Sequence, residues 1–453
     1  MLPWFALVIV LACATGASAQ YTTFLDNGST GNRVDIVFVG DGYQQHELGT
    51  YQDHIAVMMD HLFNAGEDPF PRYHSFFNAH RVDVVSQQSG ADDPIAGVFV
   101  NTALNASYAY NGGPQRLLSV SSSAAHSAVN QALGGAFTPD IRMATVNATQ
   151  YGGAGGSFAT YAGGSSAAPE IALHELGHSF AGLADEYTYG RDGPYTGGEP
   201  SEPNVTIDPA GTPWAHWLGY EQPGIGTIGV YEGGRYHSEG IYRPSNNSKM
   251  RSLGNPFDAV SREEIILDIY RIVDPLDGWL SNNATLFDPD ELWVDAIDDD
   301  VIDHAWYVDG QLVSGATGSA FDPRDFGFGP GSYTVTAHSY DPTDWVRIHR
   351  DLLEQDIVWN VTYTQLLADI TGDGYVGADD LDVLLARWGD TVTPGHTAAG
   401  DLSGDGLIGQ ADLDLLMNAW GNGTPPGTVP EPGTLAVLGL GLLAIGRRRQ
   451  EKS

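Results

Sequence analysis

The chain has 453 residues, 57 of them acidic and 20 basic, for a formal charge of -37. That excess excludes nucleic acid as a partner, because phosphate contacts need clustered Lys and Arg, and it suits carboxylates gathered around a hard cation. Apolar residues at 42% permit sizeable cores, and at ~150 residues per domain the length suggests about three domains.

Leu2 to Ala12 is almost wholly apolar and leads to Ala17-Ser18-Ala19. This pattern reads as a secretory signal, residues 1–19, cleaved after Ala19. The rival is a lipoprotein signal acylated at Cys13, which Leu11 fits poorly. Cys13 is the single cysteine, so cleavage after Ala19 leaves no disulfide, and stability must come from packing and metal ions.

Residues 20–273 mix strand and helix patterns and predict an α/β or α+β domain. Val34 to Val39 reads as a buried strand stopped by Gly40-Asp41-Gly42, and Thr50 to Phe63 has helical spacing. Arg81 to Val85 and Ile141 to Val146 are further strands. The glycine-rich stretch from Tyr151 to Gly164 suggests a sheet edge, along whose residues Tyr151 to Thr160 an extended peptide is expected to lie. A helix from about Ala168 to Gly182 follows.

That helix carries His174-Glu175-Leu176-Gly177-His178. Residues four apart share a helix face, so two imidazoles can grip one ion. Glu175 projects beside them, where a base is needed to take a proton from water on the metal. Zinc suits such an open site, which needs one more protein ligand. Gly182 can end the helix and turn the chain back, offering Asp185 or Glu186. Asp185 lies three residues beyond the glycine, the spacing of metzincin third ligands, and Glu186 remains open. Tyr242 and His237 are candidate donors to a tetrahedral oxyanion, and Met250 is a candidate methionine turn beneath the metal.

The run from His174 to Asp185-Glu186-Tyr187, with Val34 to Tyr43, Glu202 to Thr206, Gly240 to Pro244 and Lys249 to Ser252, resembles the IgA peptidase family of metallopeptidases. The resemblance covers about Asn32 to Pro275. It implies a zinc endopeptidase acting on extracellular protein substrates, with His174 and His178 as ligands and Glu175 as general base.

Residues 274–362 change character. Ala305 to Val313 reads as a hairpin turning at Asp309-Gly310, and Gly331 to His338 alternates like a half-buried strand. Together they resemble the later strands of an immunoglobulin-like (Ig-like) β-sandwich, expected here as a non-catalytic spacer.

Residues 363–422 hold an internal repeat. Asp369 to Val376 recurs, 32 residues on, as Asp401 to Ile408. Each copy fits a twelve-residue calcium loop: Asp369, Thr371, Asp373, Tyr375 and Asp380 in the first, and Asp401, Ser403, Asp405, Leu407 and Asp412 in the second. Tyr375 and Leu407 would offer carbonyls, and Gly374 and Gly406 the sharp bend. The pair resembles a type I dockerin, a small α-helical module that implies Ca2+ and a cohesin partner.

Residues 423–453 contain a Gly/Thr/Pro linker, Pro430-Glu431-Pro432, an apolar run from Leu435 to Ile445 and three arginines. This tail resembles the PEP-CTERM sorting signal. It implies recognition by an exosortase and a secreted or envelope location, with a membrane segment far shorter than a spanning helix. The alternative function is an adhesive or scaffold protein whose peptidase-like domain is catalytically silent.

Overall fold

The computed structural model describes residues 21–64, 67–189, 193–364 and 366–423. The expected signal segment 1–19 and the sorting tail lie outside the described residues. Among the described residues, no helix is long and apolar enough to cross a membrane.

The chain divides into two compact units. The first comprises residues up to 277 with 296–303 and 339–355; the second comprises 278–295, 304–338 and the residues from 356 onward. The expected spacer, 274–362, is thus shared between them.

The first unit is built on a six-stranded sheet. Its strands are β1 (Tyr21–Leu25), β2 (Val34–Asp41), β3 (Phe77–Val82), β4 (Ile141–Val146), β5 (Gly153–Ala154) and β6 (Ala159–Ala162), in the order β1-β3-β2-β4-β6-β5. The central four run parallel, and β1 and β5 close the edges antiparallel. Helices α1 (Leu48–Asn64) and α2 (Ser122–Leu133) connect the first strands, and α3 (Ala168–Ser179) follows β6.

Every residue of β2 is buried, because both faces of the sheet are covered. Val34, Ile36 and Phe38 pack into one core with Ile55 of α1 and Leu173 of α3. Val37 and Val39 point the other way, into a core with Ala125 and Val129 of α2. The period-two alternation therefore feeds two cores from one strand.

The strand expected at Arg81 to Val85 lies at Phe77–Val82, where it is flanked by β1 and β2. Just beyond it the chain leaves the sheet, and the Ser86 hydroxyl donates to Asp41. The unit continues with β7 (Glu221–Gln222) and β8 (Gly226–Thr227), the hairpin β9 (Tyr231–Gly234) and β10 (His237–Arg243), and helix α4 (Ala259–Tyr270).

The second unit carries a three-stranded sheet of β11 (Leu276–Trp279), β13 (Leu292–Ala296) and β16 (Ala320–Phe321). Its five-stranded sheet has the order β12 (Leu286–Phe287), β18 (Glu354–Tyr363), β17 (Gly331–Tyr340), β14 (Asp303–Val308), β15 (Gln311–Leu312). The expected hairpin is β14–β15, with positive φ at both Asp309 and Gly310, as a tight two-residue turn requires. Trp306 stacks on Trp359 at 5.7 Å and on Phe321 at 4.9 Å. Each repeat leads into a short helix, α5 (Ala378–Ala386) or α6 (Gln410–Asn418). Leu384 and Leu416 of these helices share a small core with Val376 and Ile408.

Candidate metal centre

Helix α3 begins with Pro169 in its first turn, where a missing N–H costs nothing. Ile171, Leu173 and Leu176 enter the core, which turns His174 and His178 toward a cleft of about 1030 Å³. Helical structure ends at Ser179. Gly182 adopts φ +60, a left-handed turn that a Cβ would strain, and Leu183 N donates back to Gly177 O at 3.0 Å. This reversal brings Asp185 under the two imidazoles.

The three side chains converge. His174 Nε2 lies 3.2 Å from His178 Nε2 and 3.1 Å from Asp185 Oδ1, and His178 Nε2 lies 3.3 Å from the same oxygen. Each Nδ1 is committed to a backbone carbonyl, His174 to Lys249 O at 3.1 Å and His178 to Leu183 O at 2.6 Å. An Nδ1–H donating to a carbonyl leaves Nε2 as the free lone pair, the tautomer a metal needs. Ligand atoms about 2.0–2.1 Å from a tetrahedral zinc stand about 3.3–3.4 Å apart, close to the spacings here. The donor set therefore fits zinc.

The imidazoles and Asp185 shift one another's ionisation. Burial opposes it, yet its bonds to the imidazoles hold Asp185 well below the usual carboxylate range. Burial also opposes charge on His178, but Asp185 raises its imidazole to about 9. Burial lifts Glu175 above the ordinary carboxyl value, with His174 and His178 pulling the other way.

Glu175 sits beside β5. A Cβ on Gly153 would stand 3.1 Å from Glu175 Oε1, and one on Gly155 would stand 2.8 Å from His178 Cβ and 3.2 Å from Glu175 Oε2. The glycines let this strand approach the helix. The outer edge of β5 is not open at Gly153, however. Gly153 N donates to Arg116 O at 3.1 Å, and its carbonyl accepts from Leu118 N at 3.3 Å. The expectation of a peptide pairing along Tyr151 to Thr160 is corrected at that position.

Two further expectations are corrected. Glu186 does not join the cluster: it is fully buried, and its carboxylate accepts from Asn204 Nδ2 at 3.0 Å and Ser248 Oγ at 2.6 Å. Successive residues of an extended turn point to opposite sides, so Asp185 and Glu186 cannot both face the imidazoles. Tyr242 lies on β10, its backbone bridged to Thr206, and does not line the cleft. His237 is also outside the lining, with Nδ1 on Gly193 O at 3.2 Å. Tyr236 takes the position instead, donating its hydroxyl to Asp185 Oδ2. Burial, with Asp185 beside it, pushes Tyr236 up to about 12, so it remains a donor at neutral pH. Its backbone has φ +72, a conformation with no signature in the sequence.

Met250 is fully buried beneath α3: a Cβ on Gly177 would meet its sulfur at 2.8 Å. The Met250 carbonyl accepts from Glu186 N at 2.9 Å, tying the floor of the site to the turn that delivers Asp185.

His61, Glu67 and Glu170 form another titratable cluster, but it already holds a cation. Lys249 Nζ, fully buried, lies 3.1 Å from Glu67 and 2.6 Å from Glu170.

In the repeats, Asp401, Asp405 and Asp412 converge. Asp401 accepts from Gly404 N and Gly406 N, both at 3.0 Å, and Asp412 from Ser403 N at 2.9 Å. Ser403 and Leu407 are exposed. In the first copy Asp369 accepts from Gly374 N at 2.7 Å, and Asp380 from Thr371 N at 2.9 Å. Asp373 Oδ1 accepts from Tyr375 N at 2.9 Å. Asp369, Asp373 and Asp380 do not form a cluster as the second trio does.

Comparison with curated proteins gave no match. Residues 428–450 match the PEP-CTERM protein-sorting motif, the mark of an exported, envelope-associated protein. Residues 23–227, which include His174, Glu175, His178 and Asp185, match the family model of IgA Peptidase M64, a family of metallopeptidases, and the match supports a peptidase.

Proposed function

We propose that the first unit is a zinc-dependent endopeptidase acting on extracellular proteins. The observation that carries this is the convergence of His174, His178 and Asp185, with Glu175 beside them in a cleft. His174, His178 and Asp185 would hold the ion, and Tyr236 would fix the orientation of Asp185. When bound, zinc would polarise the scissile carbonyl and make water acidic enough to ionise near neutral pH. Glu175 takes the proton from the attacking water and passes it to the leaving amine. Burial of its carboxyl favours the protonated form it needs for that second step.

Glu175→Ala is expected to retain zinc and to lose ~10²–10⁴-fold in hydrolysis of casein. Full activity in that variant refutes the assignment. A zinc-loaded wild type that cleaves nothing leaves the catalytically silent scaffold in its place.

In the second unit we propose calcium at the repeats, supported by the carboxylate trio of the second copy. The two sheets serve as an Ig-like spacer, and the helical repeat is dockerin-like, with a cohesin-type partner. Calcium is expected to slow amide hydrogen exchange in 369–380 and 401–412 of the full chain; no response to calcium or chelator removes the proposal.

A further inference from the structure

The cleft wall carries basic residues in a chain where acidic ones outnumber basic by 57 to 20. Four of them line it: Arg116, Arg235, Lys249 and Arg251. Three are already engaged. Lys249 turns away to Glu67 and Glu170, Arg235 pairs with Glu202 at 2.9 Å, and Arg251 donates to Asn246 O at 3.1 Å.

Arg116 is different. It is exposed, and Tyr187, Tyr189 and Tyr151 lie near its charge. Its guanidinium stands 5.3 Å from the ring centre of Tyr189, with Tyr187 also near its charge. Those two rings stack at 4.4 Å, nearly parallel, while Tyr151, also near Arg116, is half exposed. An arginine laid on aromatic faces loses little freedom when it binds, and its fork fits a carboxylate with two parallel bonds.

Its backbone is set relative to the reacting groups. Arg116 O accepts from Gly153 N, and Gly153 is the residue whose Cβ would come within 3.1 Å of Glu175. The Arg116 backbone is thus anchored to the strand that abuts Glu175, and its side chain lines the same cleft. Asp185 Oδ1 lies 3.1 Å from His174 Nε2 and 3.3 Å from His178 Nε2, so that carboxylate already has partners.

We infer that Arg116, on its bed of Tyr187 and Tyr189, is a specificity-determining residue that receives an Asp or Glu side chain of the peptide substrate close to the scissile bond. This rests on the endopeptidase assignment and narrows its substrate class. The test uses zinc-loaded full chain and peptides capped at both ends, so that the only carboxylate is a side chain. Glu is compared with Gln at each position around the cut, in wild type, Arg116→Gln and Arg116→Glu.

Wild type is expected to prefer Glu over Gln at one position by roughly three- to tenfold in kcat/KM, the range of an exposed but stacked and bidentate pair, with the difference mainly in KM. Arg116→Gln brings that ratio toward one, and Arg116→Glu takes it below one, so that Gln is preferred at the same position. Cleavage by wild type with a ratio near one everywhere, or a ratio unchanged in both variants, overturns the inference and leaves the peptidase assignment standing. Failure of wild type to cleave any capped peptide or casein overturns both.

Discussion

The carbonyl of Lys249 lies 3.1 Å from Nδ1 of His174, while the ammonium of the same lysine is fully buried between Glu67 and Glu170. One residue therefore joins the His174 imidazole to an ion network that reaches His61 of α1 and Glu170 in the first turn of α3. Gly254 N also donates to Glu170, at 2.7 Å, closing the loop on itself. Removing the cation leaves two partly buried carboxylates without their shared partner. Lys249→Met is expected to destabilise the first unit by about 3 kcal/mol and to weaken zinc binding about tenfold. Urea unfolding and zinc titration check the two effects separately.

The two carboxylates after Gly182 have separate expected behaviours. Asp185→Ala should abolish stoichiometric zinc binding, since it removes one of three ligands. Glu186→Gln keeps partners for Asn204 and Ser248 and should retain zinc. Tyr236→Phe removes only the outer hydrogen bond to Asp185, for a loss of roughly 10-fold in zinc affinity. Metal content of the three purified variants decides; zinc lost from Glu186→Gln and kept by Asp185→Ala would reverse the assignment.

Gly155 faces the helix without room for a methyl group: its Cβ would sit 2.8 Å from that of His178. Gly155→Ala is expected to cost about 1–3 kcal/mol of overpacking and to lower kcat more than KM, by displacing His178 or Glu175. An alanine variant with native kcat would show that β5 gives way freely.

The clamp between Arg33 and Asp277 sets a pH dependence. Burial works against it, but hydrogen bonds from Arg33, at 2.7 and 2.6 Å, and from Asn32 lower the Asp277 carboxyl below its ordinary value. A carboxylate with a depressed folded pKa contributes stability above its unfolded pKa of about 3.9 and loses it as pH falls through the folded value. Asp277→Asn should therefore cost about 2–3 kcal/mol at pH 7, because buried Arg33 loses its counter-charge, and progressively less below pH 4. Denaturation of both proteins across pH 2 to 7 checks the convergence; parallel curves would argue against it.

Much of the first unit was legible in its residues. The run at Val34 to Val39, apolar except for Asp35, pointed to a buried strand, and Ile141 to Val146 is a strand with the expected ends. His174, Glu175 and His178 were legible because four residues on a helix return to the same face whatever surrounds them. The strand at Phe77–Val82 was placed too late in the sequence because Val84 and Val85 have strand propensity, while pairing on both sides selects the earlier residues.

Local periodicity determined the imidazole pair, the neighbouring carboxylate of Glu175, the hairpin at Asp309-Gly310 and the two repeated loops, since each depends only on residues a few positions apart. Tertiary structure alone set Asp185 rather than Glu186 against the imidazoles, put Tyr236 rather than Tyr242 on the cleft wall, occupied the edge of β5 with Arg116 to Leu118 and placed the Lys249 carbonyl on His174. Those contacts join residues up to 75 positions apart. They depend on how a left-handed turn at Gly182 and a strained Tyr236 backbone aim side chains in space, which no spacing along the chain encodes.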